Sequence, residues 1–343
     1  MRRVLRGLLG AGLLASWLAF AGLTLVQRLA LDEPWLELSR YLPWYWMAAA
    51  LGATLVAALA LGRAWVLAAL ASLAVLAAVT MDFQWHAPRA AAAPLRVVTY
   101  NAKVQEALAR PGGIAALEAE VRRLAPDVLL LQDAEGLRTA RAGAAIVDGP
   151  PLFGLPHVAA VSQYVIASRL PLRECRIGRL DVPGASHRSL RCRVEHEGAS
   201  LWIVNAHLLT PRGGLMAARR DPIDGVETWE ENLARRLVQA RQLAAEAAGI
   251  AGPRIVAGDL NATEASPVVQ ALRAVGLRDA FSEAGRGWGF SYGHTMRWGL
   301  PFLRIDHILV SREFEVLSSS VGGGDASAHR PVVADLAWRA AGR

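Results

Sequence analysis

The sequence predicts a mixed α/β domain over residues 94–343 behind a helical, membrane-type module over residues 1–80. Three observations carry that reading. Residues 7–26, 44–62 and 64–80 hold no charged side chain, and the last two runs are separated only by Arg63. From Leu95 onward, short apolar runs rich in β-branched residues alternate loosely with helix-period patterns. Several of those runs follow one another with no helix between them, so a simple doubly wound parallel sheet is a poor fit.

Each uncharged run is about 17–20 residues long, enough to cross roughly 30 Å of hydrocarbon as a helix. Arg2, Arg3 and Arg6 precede the first run, which predicts a cytoplasmic N-terminus. The loop 27–43 carries Asp32, Glu33 and Glu37 beside Arg28 and Arg40 and suits the outer side. Arg63 then sits in an inside turn, and the third run delivers the remaining chain outside. Trp35, Trp44 and Trp46 suit a membrane interface. Leu8–Leu18 followed by Ala19-Phe20-Ala21 also reads as a signal peptide with a small-residue cleavage site. Either reading leaves the α/β domain on the same side. The expected location is a bacterial inner (cell) membrane, multi-pass, with the α/β domain periplasmic or extracellular.

Residues 81–93 form a linker containing the Arg89-to-Ala93 stretch. Leu95–Tyr100 opens the first strand. Ile114–Leu124 reads as an amphipathic helix with apolar residues at 114, 117, 121 and 124, stopping before Pro126. Val128–Leu131 is a buried strand, and Val158–Ser168 and Leu201–Ala206 are further strands. Trp229–Ala248 is the longest helix, ended by Gly249 near Pro253. Ile255–Ala257, Ile305–Val310 and Val332–Leu336 complete the strands. Cys175 and Cys192 lie in strand-like segments, where a hairpin disulfide and two free buried thiols are both open.

The formal net charge is +7, and 37 residues are Lys or Arg. Lys103 is the only lysine. Arginine bias with abundant Ala and Gly reflects a GC-rich bacterial genome rather than a nucleic-acid footprint. No dense basic run with interleaved aromatics is present. The apolar runs hold almost no polar residues, which argues against a transporter or channel.

The chemistry-bearing residues cluster near the apolar runs. They stand in Thr99-Tyr100-Asn101, Leu131-Gln132-Asp133, Asn205-Ala206-His207, Gly258-Asp259-Leu260-Asn261, Arg304-Ile305-Asp306-His307 and Ser327-Ala328-His329-Arg330-Pro331, with Ser168-Arg169 between the second and third. Together these segments resemble the endonuclease/exonuclease/phosphatase superfamily over about residues 94–340. That superfamily includes deoxyribonucleases, AP endonucleases, sphingomyelinases and inositol-polyphosphate 5-phosphatases. The resemblance implies two packed mixed β-sheets flanked by helices, a four-layer α/β sandwich. It also implies phosphate-ester hydrolysis with Mg²⁺ or Mn²⁺, ions that suit hard oxygen ligands.

By the same resemblance, Asp133 and Asn101 are metal residues, with Asp133 one methylene shorter than the family's Glu. From position alone, Glu135, two residues on and so on the same face of an extended strand, and Asp325, four residues before His329, are back-up ligands. His207 donates to the leaving oxygen or binds phosphate. Asp259 orients or deprotonates the attacking water, and Asn261 holds a phosphate oxygen. Asp306 orients His329, and His307 is structural. Ala328 stands where the family usually has Asp, which implies a weaker or single-metal site.

The expected activity is a divalent-metal-dependent phosphodiesterase. Its substrate is a phosphate ester, either a lipid headgroup or extracellular nucleic acid, and its one inferable partner is the membrane. A non-catalytic phospho-ligand binder is the other reading, favoured by Ala328 and opposed by the retained histidines and carboxylates. The loop with Trp288, Phe290, Tyr292 and Trp298 serves either the substrate or membrane side, or the core.

Overall fold

The computed structural model describes residues 1–29, 33–137, 146–221 and 223–339. Asp32, counted above in the 27–43 loop, lies outside them. The chain divides into two compact units, Met1–Gln84 and Trp85–Arg343.

The first unit is helical: α1 (Arg2–Arg28), α2 (Pro34–Ser39), α3 (Trp44–Leu59) and α4 (Arg63–Val75), the last continued by a π-helical turn to Thr80. Gly10, Leu13, Ala58 and Ala69 mark the helix contacts, and the Trp17 indole donates to Thr54 Oγ1 at 3.0 Å. The apolar runs 2–28 and 63–80 are long and apolar enough to cross a membrane by length and composition. Only 17% and 11% of their most apolar windows are buried within the unit, unlike the core helices of a water-soluble fold. The expected middle span is shorter than its sequence pattern: α3 has 16 residues and ends at Leu59, because the chain turns through Ala60–Gly62.

The second unit contains two large sheets. Its strands are β1 (Leu95–Asn101), β2 (Val128–Gln132), β3 (Val147–Gly149), β4 (His157–Val161), β5 (Tyr164–Ser168), β6 (Arg173–Arg179), β7 (Arg188–His196), β8 (Ala199–His207), β9 (Arg254–Asp259), β10 (Arg278–Asp279), β11 (Asp306–Val310), β12 (Phe314–Val321) and β13 (Val332–Trp338). One sheet has the order β12-β13-β1-β2-β5-β4-β3 and the other β10-β11-β9-β8-β7-β6. Both mix parallel and antiparallel pairs: β1 runs parallel to β2 and β8 to β9, while β9 runs antiparallel to β11.

Side chains alternate across a strand. Leu95, Val97, Val128, Leu130 and Ile166 of one sheet therefore meet Leu201, Ile203, Ile255, Ala257 and Ile308 of the other. The opposite faces carry helices. Val98, Tyr100, Leu129 and Leu131 pack on α5 (Val104–Leu108) and α6 (Gly113–Leu124). Val204, Ala206, Val256 and Leu309 pack on α8 (Gly225–Ala248) and α9 (Pro267–Arg273), which follow the shorter α7 (Arg212–Arg220). The layers are helix, sheet, sheet, helix, the sandwich the resemblance implied.

One strand assignment is corrected. The segment 158–168 is a hairpin, β4 and β5 paired Val161 to Tyr164 across Ser162-Gln163, with Ser162 in left-handed backbone at φ 51°. Cys175 and Cys192 form a disulfide, which settles the two sequence alternatives and ties β6 to β7.

Candidate active site

The inward rows of five strands end in polar residues. The alternation that buries Val97, Leu130, Ile203, Ala257 and Ile308 puts Asn101, Gln132, His207, Asp259 and Asp306 on the same internal faces. Register then aligns them. His207, Asp259 and Asp306 are cross-strand neighbours on one sheet, and Asn101 pairs with Gln132 on the other. Ser327 and His329 approach from the loop before β13; the Ser327 hydroxyl donates to Asn101 O at 2.7 Å.

Asp259 lies at the centre. The Asn101 amide donates to its Oδ2 at 2.9 Å, and the Asn261 N–H donates to its Oδ1 at 2.9 Å. His207 Nε2 stands 3.5 Å and His329 Nε2 3.7 Å from Oδ2. Gly258 makes this crowding possible. At φ 149° its missing Cβ would collide with the Ala206 carbonyl of β8. Asn261 stands in left-handed backbone at φ 51°, and its side-chain amide donates to Leu208 O at 2.9 Å.

His329 is oriented by Asp306, whose Oδ2 accepts from Nδ1 at 2.9 Å, and by the Tyr292 ring, 4.9 Å away centre to centre. The other oxygen of Asp306, Oδ1, is buried without a hydrogen-bond partner among the described residues. Burial and the nearby Asp306 charge push the Asp259 carboxyl above its ordinary value, against the pull of His329 and His207. Burial alone would lower His329; the charges of Asp306 and Asp259 outweigh it and hold the imidazole above its ordinary value.

Asp259, Asp306 and His329 offer ligand atoms all within 4.8 Å of one another. Two carboxylates, one imidazole and an orphaned buried oxygen fit a divalent cation. The predicted metal pair, Asn101 and Asp133, is already engaged. Asn101 Oδ1 accepts from the Lys103 N–H at 3.2 Å, and Asp133 Oδ2 is ion-paired to Lys103 Nζ at 2.7 Å. Burial opposes both charges of that pair. The His207 charge, with the Lys103 hydrogen bond and charge, nonetheless holds Asp133 below the ordinary carboxylate value. Asp133 in turn holds Lys103 above the ordinary lysine value.

Neither back-up ligand joins the cluster. The strand ends at Gln132 and Asp133 turns at φ 47°, so Glu135 faces solvent and accepts from Ser162 Oγ at 3.2 Å. Asp325 is exposed, 3.9 Å from His294 Nε2. Ser168 sits at the far end of β5, bonded to Asp127 O. His307 points to the opposite face of β11, where Nδ1 donates to Asp279 Oδ2 at 2.7 Å and Nε2 meets Ala262 O at 2.9 Å.

Sequence reading gave several contributors no role. Gln163 Oε1 accepts from His207 Nδ1 at 2.6 Å, and the Gln132 amide donates to Asn205 Oδ1 at 2.7 Å, bridging the sheets. Gln163 had no signal because it fell inside a segment read as one strand. Lys103 had one: it is the single lysine of an arginine-rich chain.

The family model described as "Endonuclease/Exonuclease/phosphatase family" matches residues 98–329. The chain belongs to this family, whose members are hydrolases acting on phosphoesters. The comparison with curated proteins returns no match. Among solved structures, an endonuclease/exonuclease/phosphatase from Bacteroides vulgatus is similar at 17% identity and TM-score 0.51, over 72% of this chain and all (100%) of that one. A conserved protein of unknown function from Enterococcus faecalis V583 is similar at 16% identity and TM-score 0.50, covering 71% of this chain and 100% of that one. These likenesses establish the shared fold.

Proposed function

We propose that the protein is a membrane-anchored phosphodiesterase of bacteria, working on a lipid headgroup or an extracellular nucleic acid outside the cytoplasm. The observation that carries the reaction is the buried Asp259–Asp306–His329 group with its unpartnered Asp306 oxygen. Two desolvated carboxylates and an orphaned acceptor are kept only where something cationic or reacting completes them. The two long apolar helices, with little of their surface covered, support the anchoring. The arginines in the first turns of the first helix support a cytoplasmic N-terminus.

Asp259, Asp306 and His329 would hold a Mg²⁺ or Mn²⁺ ion, which supplies Lewis acidity toward a phosphoryl oxygen. The remaining steps belong to this chain's own groups. The oxygen of a water bonds to phosphorus as its proton passes to Asp259, which the Asn101 amide and the Asn261 N–H hold at the centre of the group. The ester P–O bond breaks and its electron pair stays on the leaving oxygen. The imidazolium of His207, with Nδ1–H fixed on Gln163, gives that oxygen the proton on Nε2. Return of the proton from Asp259 to His207 Nε2, 3.5 Å from Oδ2, resets the pair. Asn101 keeps Asp259 aimed, and Asp306 keeps His329 aimed.

The test is p-nitrophenol release from bis(p-nitrophenyl) phosphate by the full chain in detergent, with Mg²⁺, Mn²⁺ or EDTA, beside His329→Ala. Turnover that needs the ion and disappears in the variant is expected. Turnover that persists unchanged in His329→Ala would remove the proposed site.

A further inference from the structure

Two residues beyond the end of β1 stands the one lysine among 37 Lys and Arg residues. An ammonium and a guanidinium are not interchangeable: the first is a compact point charge with three donors, the second a planar fork. Lys103 is also held in an unusual place. Its backbone is left-handed at φ 44°, as is that of Asp133 at φ 47°, directly after β2. Non-glycine residues stay in that region only when the surroundings dictate it, and such positions concentrate at functional sites.

Here the surroundings are explicit. Strands β1 and β2 are parallel neighbours, so their following turns lie side by side. Ala102 N–H donates to Gln132 O at 2.9 Å and Val104 N–H to Asp133 O at 3.0 Å, stitching one turn to the other. The outcome is Lys103 Nζ at 2.7 Å from Asp133 Oδ2, with the two side chains 30% and 28% exposed. Asp133 Oδ1 lies 3.5 Å from His207 Nδ1, so the ammonium lies beside the proposed proton donor.

A divalent ion on Asp133 would have to displace that ammonium or sit beside it, and like charges at such separations repel. Besides Asp133, the carboxylates that act on this corner are Asp259 and Glu106, and both favour the ammonium already there. Position 328 is Ala, and Glu135 and Asp325 face away.

We propose that Lys103 is the resident cation of the Asp133 corner: its ammonium occupies Asp133 in place of a divalent ion and offers its remaining donors to a phosphoryl oxygen of the substrate. The second half rests on the phosphodiesterase reading; the first does not. Any metal ion then belongs to the Asp259–Asp306–His329 group alone.

The experiment is Mn²⁺ binding to the full chain in detergent, followed by the electron spin resonance of the free ion, with no substrate present. Asp133→Asn is expected to leave Mn²⁺ affinity unchanged. Lys103→Met is expected to open Asp133 to the ion and tighten binding about 10-fold or more, the scale on which a ligand's immediate partner acts. Adding Asp133→Asn to Lys103→Met should abolish that gain, and Lys103→Arg should bind as the parent does. A loss of about 10-fold or more in Asp133→Asn with Lys103 intact would overturn the proposal, because Asp133 would then be a ligand in the native chain. That variant retains the lysine and decides the matter even if Lys103→Met does not fold. For the anion half, calorimetric binding of inorganic phosphate should weaken about 10-fold in Lys103→Met, one charge-assisted contact. Unchanged phosphate affinity contradicts that half while leaving the metal result standing, so a failed phosphodiesterase reading and a failed lysine assignment are told apart.

Discussion

Two carboxylate–imidazole pairs stand back to back on β11, and they differ in how completely they are satisfied. On the outer face, Asp279 accepts from His307 Nδ1 on one oxygen and from Arg304 Nη1, at 2.9 Å, on the other. Arg304 also reaches Glu264 Oε2 at 2.6 Å, and His307 Nε2 finds a backbone carbonyl. Every charge there has an opposite neighbour. On the inner face, one residue earlier, Asp306 and Asp259 share His329, His207 stands beside Asp259 alone, and one Asp306 oxygen has no partner among the described residues. Sequence makes these pairs look alike, an acid and a histidine near strand ends. Closure separates them: a satisfied buried network supports the fold, and an unsatisfied one is held in readiness for something that completes it.

The largest expected contrast comes from removing one acid from each pair. Asp279→Ala takes the carboxylate from buried His307 and one of the two from Arg304, and about 3–5 kcal/mol of stability should be lost in urea unfolding. Asp259→Asn should instead lower phosphodiester turnover about 10²–10⁴-fold with a far smaller shift in the unfolding midpoint. Swapped outcomes, with Asp279→Ala folded as the parent and Asp259→Asn unfolded, would erase the distinction.

A smaller effect separates the pairs by pH. Burial works to raise the Asp279 carboxyl, but the Arg304 charge and the His307 hydrogen bond hold it far below the ordinary range. A depressed carboxylate stabilises above its unfolded value, about 3.9, and that contribution is lost as pH falls through the folded value. The raised His329 has the opposite sign. Its contribution is complete below its unfolded value, about 6.5, and declines as pH rises through the folded one. Thermal midpoints should therefore fall on acidification by a term that Asp279→Asn removes. They should also fall on alkalinisation by a term that His329→Gln removes.

Much of the site was legible because strands alternate with a period of two. A row such as Leu201, Ile203, Asn205, His207 announces that its polar end continues the buried face. Gly258-Asp259-Leu260-Asn261 was legible for the same reason, with a glycine whose Cβ the neighbouring strand forbids. Three things were not. Glu135 was placed by extending the alternation past Gln132, where left-handed Asp133 breaks it. The hairpin at Ser162-Gln163 hid in an apolar run because two polar residues suffice to reverse a chain. Lys103 acquires its partner from a turn some thirty residues away, a contact that only parallel pairing of β1 and β2 creates.

The most direct measurement is turnover of bis(p-nitrophenyl) phosphate by Asp306→Asn, with its unfolding midpoint taken on the same preparation. The amide oxygen still accepts from His329, while the uncompensated charge of the inner pair is gone. Turnover should fall at least about 100-fold, with a midpoint lowered far less than in Asp279→Ala, since His329 still faces Asp259. Full turnover, or a midpoint depressed as in Asp279→Ala, would show that the inner pair also serves the fold and not the reaction.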